Sequence, residues 1–244
     1  MTDTAHASGG GSQDYADSYD PDLDFDAWYT HATAAIIGPQ LSAGQSVLEL
    51  GSATGLMTSL LTSSGASVLG VERFEEYLER ARARGLVGAR FVAAELDAFE
   101  PEGRFDHIIA TNLLHEFDDP TWLLRRIHLW LARGGLLHVT LPNPDSLHRL
   151  AALADGLIRD PLVLSDRAVF YGTRRVWPAE SFRDLARGLG FEVVACRGVM
   201  LKPYPNDTMA RLPRDLLDSF VRAGDLFRDY AAMHYTALGR AGER

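Results

Sequence analysis

The stretch Val47-Leu48-Glu49-Leu50-Gly51-Ser52-Ala53-Thr54-Gly55 constrains this chain most. An apolar run that ends in an acid and passes through a glycine-rich turn into a helical pattern reads as a buried strand, turn and helix. Such a turn lets a ligand touch backbone. A dinucleotide site would want glycines at the first, third and sixth positions of the turn. Here those positions are Gly51, Ala53 and Leu56, so no pyrophosphate is cradled closely and nicotinamide or flavin use is disfavoured.

The same alternation of short apolar runs with helical periodicity continues along the chain. Strands are expected from Ser46 to Leu50, Ser67 to Glu72, Ala89 to Ala93, Phe105 to Thr111, Leu136 to Leu141, Glu192 to Val199 and Met233 to Leu238. Helices fall between them. One buries Leu56, Met57, Leu60 and Leu61; a second carries Phe74, Tyr77, Leu78 and Ala81. A third is started by Asp118 or Asp119 with Pro120 and carries Leu123, Ile127, Trp130 and Leu131. The fold class is α/β: a doubly wound, mostly parallel seven-stranded sheet with helices on both faces. From Pro142 to Trp177 the rhythm breaks, which marks a small substrate cap. It resumes with a helix from Pro178 to Leu189, and another is expected around Arg214 to Arg228.

With 244 residues and 46% hydrophobic side chains, the chain suffices for one domain, expected over residues 13–244 after a disordered stretch at 1–12. The 24 basic and 33 acidic residues leave a net charge of −9 with no Lys/Arg run, which disfavours nucleic acid as a partner. The N-terminal residues lack the basic start and apolar stretch of a signal or anchor, so no membrane is expected. The single cysteine, Cys196, cannot form an internal disulfide and fits a cytoplasmic setting. No histidines pair at metal-ligand spacing, and no metal is assigned. The oligomeric state, monomer or homodimer, stays open.

Glu72 closes the second expected strand, where a carboxylate faces the crevice and can accept both hydroxyls of a ribose. At this point the chain resembles the class I, Rossmann-like S-adenosylmethionine-dependent methyltransferases, over roughly Tyr15 to Leu201. The resemblance rests on several motifs in order: the turn with Glu49, Gly51 and Gly55, in which Ala53 replaces a glycine; Glu72; Glu95 after the third strand; and Thr111 to Pro120 after the fourth. It implies S-adenosyl-L-methionine as cofactor, with Ser52 in the turn, Arg73 beside Glu72, Leu96 beside Glu95, Asn112, and Tyr19 of an N-terminal aromatic cluster (Tyr15, Tyr19, Trp28, Tyr29) also holding it; the cluster is either a lid over the cofactor or plain packing on the sheet edge. Asp97 competes with Glu95 for the adenine.

The family's usual Glu-His order is reversed here to His115-Glu116, and either side chain is a candidate general base. Pro142-Asn143 ends the fifth strand as in a subset of the family, which sets Asn143 near the transferring carbon, followed by His148. Lys202-Pro203-Tyr204-Pro205-Asn206 matches a further motif of that subset. The expected Gly-His-Arg stretch is altered to Tyr171-Gly172-Thr173-Arg174-Arg175-Val176-Trp177, which suggests a pocket retuned for its own substrate; Arg174 or Arg175 would be available to an anion, but the favoured reading is that both are ordinary surface arginines.

The resemblance implies methyl transfer to an N or O atom of a small molecule, as in secondary metabolism. An amine acceptor would need only a neighbour such as Asn143, whereas a hydroxyl would want His115, Glu116 or His148 as base. Two rivals stand beside it. One is cyclisation of S-adenosylmethionine itself to a four-membered ring (azetidine-2-carboxylate), aided by a cation–π contact from Tyr171 or Trp177. The other is a non-catalytic cofactor-binding regulator.

Overall fold

The computed structural model describes residues 19–243, so the disorder expected at 1–12 and the position of Tyr15 lie outside the described residues. The strands are β1 (Ser46–Leu50), β2 (Ser67–Glu72), β3 (Ala89–Ala93), β4 (Phe105–Thr111), β5 (Leu131–Pro142), β6 (Phe191–Leu201) and β7 (Ala231–Arg240). They form one seven-stranded sheet in the order β3-β2-β1-β4-β5-β7-β6. The first five pair in parallel, and β7 lies antiparallel between β5 and β6. This is the doubly wound sheet expected from the sequence.

Strands β1 to β4 have the expected bounds. The last three are longer: β5 already begins at Leu131, which pairs with Phe105 of β4 ahead of a register shift, and the β6–β7 ladder runs on from Phe191 opposite Arg240 to Leu201 opposite Ala231. Neighbouring residues of one strand feed opposite layers, which is why the runs are apolar throughout. Val47 packs with Ile37, Met57, Leu61 and Tyr235. Leu48 packs with Ile108, Leu123, Ile127 and Phe182 on the other face.

The helices are α1 (Ala27–Ile37), α2 (Leu56–Leu61), α3 (Glu75–Ala83), α4 (Thr121–Trp130), α5 (Leu147–Ala154), α6 (Asp166–Phe170), α7 (Ala179–Gly188), α8 (Asn206–Met209) and α9 (Arg214–Leu226). At the start of α4 the Asp119 carboxylate accepts the Thr121 amide at 2.9 Å. Leu131, expected in that helix, already belongs to β5, where it pairs with Phe105. Helix α9 meets β6 backbone to backbone: a Cβ added at Gly224 would lie 2.3 Å from the Met200 nitrogen, and one at Gly198 would lie 2.2 Å from the Gly224 oxygen. None of the described helices is long and apolar enough to cross a membrane.

The strand order reverses between β1 and β4. In a doubly wound sheet that reversal opens a crevice at the carboxyl ends of the strands, and the loops after β1, β2, β3 and β4 converge on it.

Candidate functional site

The floor of the crevice is the turn after β1. Gly51, Ala53 and Gly55 all have positive φ, at 71°, 43° and 75°. Two amides of the turn, those of Gly51 and Ser52, donate to the Val71 carbonyl at 2.8 and 3.0 Å, which ties the turn to β2. Ala53 holds a left-handed conformation that disfavours a Cβ. Its amide is pinned by Glu72, whose Oε2 accepts it at 3.1 Å.

Glu72 also accepts the amides of Arg73 and Phe74 on Oε1, at 2.8 and 3.0 Å. Each carboxylate oxygen can accept twice, so Oε2 keeps one lone pair for a ligand. Burial pushes this carboxyl up from its ordinary range, and the three amides oppose that shift. Glu49 is buried at the end of β1, where the Thr58 hydroxyl donates to it at 2.5 Å. Desolvation raises it to about 8. The Ser52 hydroxyl is buried without a partner at the same cavity wall.

Glu95, Leu96 and Asp97 follow β3 and line the cavity. Their loop is held by Arg126 of α4, whose Nη1 donates to the carbonyls of Leu96 and Asp97, both at 2.7 Å. Its Nη2 reaches Glu100 at 2.8 Å and the Phe99 carbonyl. The guanidinium lies over the Trp130 ring, 5.0 Å from its centroid. Sequence reasoning missed Arg126, which reads as one more polar residue on an amphipathic helix. After β4, Asn112 lines the cavity with φ 52°, and its amide donates to the Thr140 hydroxyl at 3.1 Å.

The reversed pair separates cleanly. Both residues sit in a 3-10 turn, Leu114–Glu116. Glu116 lines the cavity. Burial raises its carboxyl to about 8, with Arg73 pulling it down and Glu72 pushing it up. His115 is buried away from the cavity. Its carbonyl accepts the amides of Arg174 and Arg175 at 2.8 and 3.2 Å, so it anchors the returning cap segment instead. Desolvation lowers its imidazole to about 4.

Three other expectations need correction. Asn143 does not face the cavity: its Nδ2 donates to the carbonyls of Asp229 and Ala231, both at 2.9 Å, and its Oδ1 accepts the Asp145 amide. The antiparallel approach of β7 draws the side chain to that backbone. His148 belongs to the cap helix α5 beside Lys202, outside the cavity lining, and burial lowers it to about 3. Trp177 packs against Phe182 in the core and outside the cavity lining, with the Arg175 guanidinium 4.0 Å from its ring centroid; Arg174 and Arg175 themselves are exposed, the surface placement favoured from the sequence.

The outer wall is made by Tyr19 and Tyr171, whose ring centroids are 5.1 Å apart. The Tyr77 hydroxyl donates to the Tyr19 carbonyl at 2.7 Å. Beyond Tyr19, alternate aspartates form a strap that sequence reasoning also missed, although the pattern Asp20, Asp22, Asp24, Asp26 is visible. Asp20 and Asp22 pair with Arg80, and Asp22 pairs with Arg84, at 2.6–2.9 Å. Asp22 also accepts the Thr54 hydroxyl of the glycine-rich turn at 2.9 Å. The strap thus seats Tyr19 over the cavity.

The comparisons agree with this geometry. Residues 28–196 match a family model described as a methyltransferase domain. A ubiquinone biosynthesis O-methyltransferase of Pseudomonas paraeruginosa is 31% identical over 106 residues, covering 41% of this chain and 46% of that protein. The chain therefore spans about half the length of that curated relative. A trans-aconitate 2-methyltransferase of Methylobacterium radiotolerans is 35% identical over 133 residues, 50% of this chain and 51% of that one. Among solved structures, an S-adenosylmethionine-dependent methyltransferase from Mesorhizobium loti superimposes with a TM-score of 0.64 at 21% identity, over 86% of this chain and 98% of that chain. With the crevice, the acid-bearing turn and the strand order on one side and this match over most of the chain on the other, the protein belongs to the class I S-adenosylmethionine-dependent methyltransferase family.

Proposed function

We propose that the protein methylates a hydroxyl oxygen of an uncharged small molecule, with Glu116 as general base. The observation that carries this is the sorting of the base candidates: Glu116 lines the cavity, while His115, His148 and Asn143 do not. A carboxyl near 8 is suited to taking a proton at neutral to mildly alkaline pH. The curated relative in Pseudomonas carries an O-methyltransferase name, which is in keeping with this reading.

The residues present fit the cofactor. Glu72 keeps a lone pair at the end of β2 for a ribose hydroxyl, and Ser52 offers an orphaned hydroxyl. Arg126 fixes the Leu96–Asp97 carbonyls and so presents that loop to a base. S-adenosylmethionine, when bound, supplies an electrophilic methyl group and its own leaving group. The protein's remaining work is to align the acceptor, accept its proton at Glu116 and exclude water with Tyr19 and Tyr171. Among the described residues Arg73 is the only lysine or arginine lining the cavity, against the carboxylates of Glu72, Glu95 and Asp97, while burial raises Glu49 and Glu116 to about 8, and that balance opposes an anionic acceptor. The cap around residues 142–177 selects the acceptor, and the setting is cytoplasmic.

The test is product analysis of purified protein with S-adenosylmethionine and a panel of hydroxylated, amino and carboxylated acceptors. S-adenosylhomocysteine formed only with hydroxylated acceptors supports the reading. Methylthioadenosine released without any acceptor would overturn it in favour of cyclisation, and cofactor binding without turnover would point to a regulator.

A further inference from the structure

Lys202 and Asn206, the Lys-Pro-x-x-Asn residues, line no part of the cavity, yet Lys202 is only 8% exposed. A buried ammonium persists when it is paired and hydrogen-bonded. Its Nζ donates to Oδ1 of Asn206 at 2.5 Å. Asn206 passes the contact on, its Nδ2 donating to Oδ1 of Asp26 at 3.1 Å. Asp26 accepts from Nη2 of Arg167 at 3.3 Å, and Asp24 accepts from the same nitrogen at 2.8 Å. The Arg167 guanidinium lies 4.5 Å from the centroid of the Tyr171 ring.

We propose that Arg167 is a positioning residue for the aromatic wall of the cavity, anchored from behind by Lys202, Asn206 and Asp26. The contacts run without a break from a buried ammonium at the end of β6, through the start of α1, to the cap helix α6 and the two rings over the cavity. An exposed ion pair by itself contributes little. Arg167 differs because its planar guanidinium meets two carboxylates through Nη2 and a ring face at once. Loss of its anchor would also strand a buried lysine. This inference rests on the reading that the cavity holds the cofactor: a wall held in place slows release more than it affects capture.

The test uses the full chain with Arg167→Met, Arg167→Lys and Asn206→Ala. Amide hydrogen exchange across residues 19–26 is followed in the ligand-free protein, and S-adenosylhomocysteine association and dissociation are followed by stopped flow. Arg167→Met should release S-adenosylhomocysteine about tenfold faster, with its association rate within about twofold of wild type, and should speed exchange in the strap. Arg167→Lys, which keeps the charge but not the planar stack, should fall between. Asn206→Ala should act in the same direction, and its combination with Arg167→Met should be less than additive. Arg167 is 42% exposed, so its variants keep the test alive even where the Asn206 variant does not fold. Wild-type release and exchange in Arg167→Met would overturn the proposal. Wild-type protein that binds no S-adenosylhomocysteine would sink the cofactor reading, and the ligand-free exchange would still decide the positioning role.

Discussion

The amide of Ala53 donates to Oε2 of Glu72 across the gap between the β1 turn and the end of β2, at 3.1 Å. One carboxylate therefore both steadies the alanine in its left-handed conformation and faces the cavity.

Glu72→Gln should injure both roles, because an amide cannot accept at its nitrogen and one backbone donor goes unsatisfied. Hydrogen bonds to charged groups are worth roughly 1.5–3 kcal/mol, so S-adenosylhomocysteine should bind about 10- to 100-fold more weakly. Isothermal titration calorimetry checks this, and unchanged affinity would remove Glu72 from the site.

Glu116→Gln separates chemistry from binding. A general base must be deprotonated to act, so wild-type kcat/KM should rise with pH through about 8, the value that burial gives Glu116. In the variant that limb should vanish and kcat should drop by about 10²- to 10⁴-fold, with S-adenosylhomocysteine affinity altered little. A cationic ligand in the cavity favours the carboxylate, so the limb in kcat should lie at lower pH than the limb in kcat/KM.

Stability should peak near pH 6.5, the ordinary histidine value. Burial holds His115 and His234 at about 4 and His138 and His148 at about 3, and it lowers His107 as well. Below the unfolded value the unfolded chain takes up protons that the folded protein refuses. Stability is then lost at up to about 1.4 kcal/mol per pH unit for each histidine. Glu49 and Glu116, raised to about 8, work in the opposite sense, as do Glu72 and Asp26, which are also raised. Their stabilisation is present below the ordinary carboxylate value and is lost as pH rises, through about 8 for Glu49 and Glu116. Urea unfolding across this range should show both limbs, and Glu49→Gln should flatten the alkaline one.

Gly224→Ala should destabilise the protein by about 3 kcal/mol, since the added Cβ would stand 2.3 Å from the Met200 nitrogen and neither backbone can yield. Denaturant unfolding measures the loss. A change within about 0.5 kcal/mol would show that α9 can slide away from β6.

The first four strands were legible because each is a short apolar run buried on both faces, bounded by turn residues. The later strands were underestimated because β7 runs on through Gly239 and Arg240, held by the ladder opposite Glu192 and Phe191 rather than by an apolar run, and because Leu131 keeps the helical period of α4 although it already pairs with Phe105 in β5. Within the site, Glu49, Glu72, Glu95 and Glu116 stand at strand ends or just beyond, where the fold itself decides that a side chain meets the crevice. Asn143 also stands at a strand end, but β7 runs beside it and claims its amide. Arg126 and Asp22 act through partners 26–30 and 32–62 residues away, and no local pattern reveals such pairings.

The strap and the turn beneath it respond differently to solvent. Arg80 and Arg167, which hold the strap, are each 42% exposed, whereas the turn is pinned by backbone bonds to Val71 and a buried carboxylate. Added electrolyte shortens the reach of exposed charges, to about 3 Å at 1 M, and barely touches enclosed ones. Ionic strength therefore acts as a dial on the doorway and leaves the floor alone: concentrated salt should loosen the hold on an already bound ligand while the fold keeps its shape.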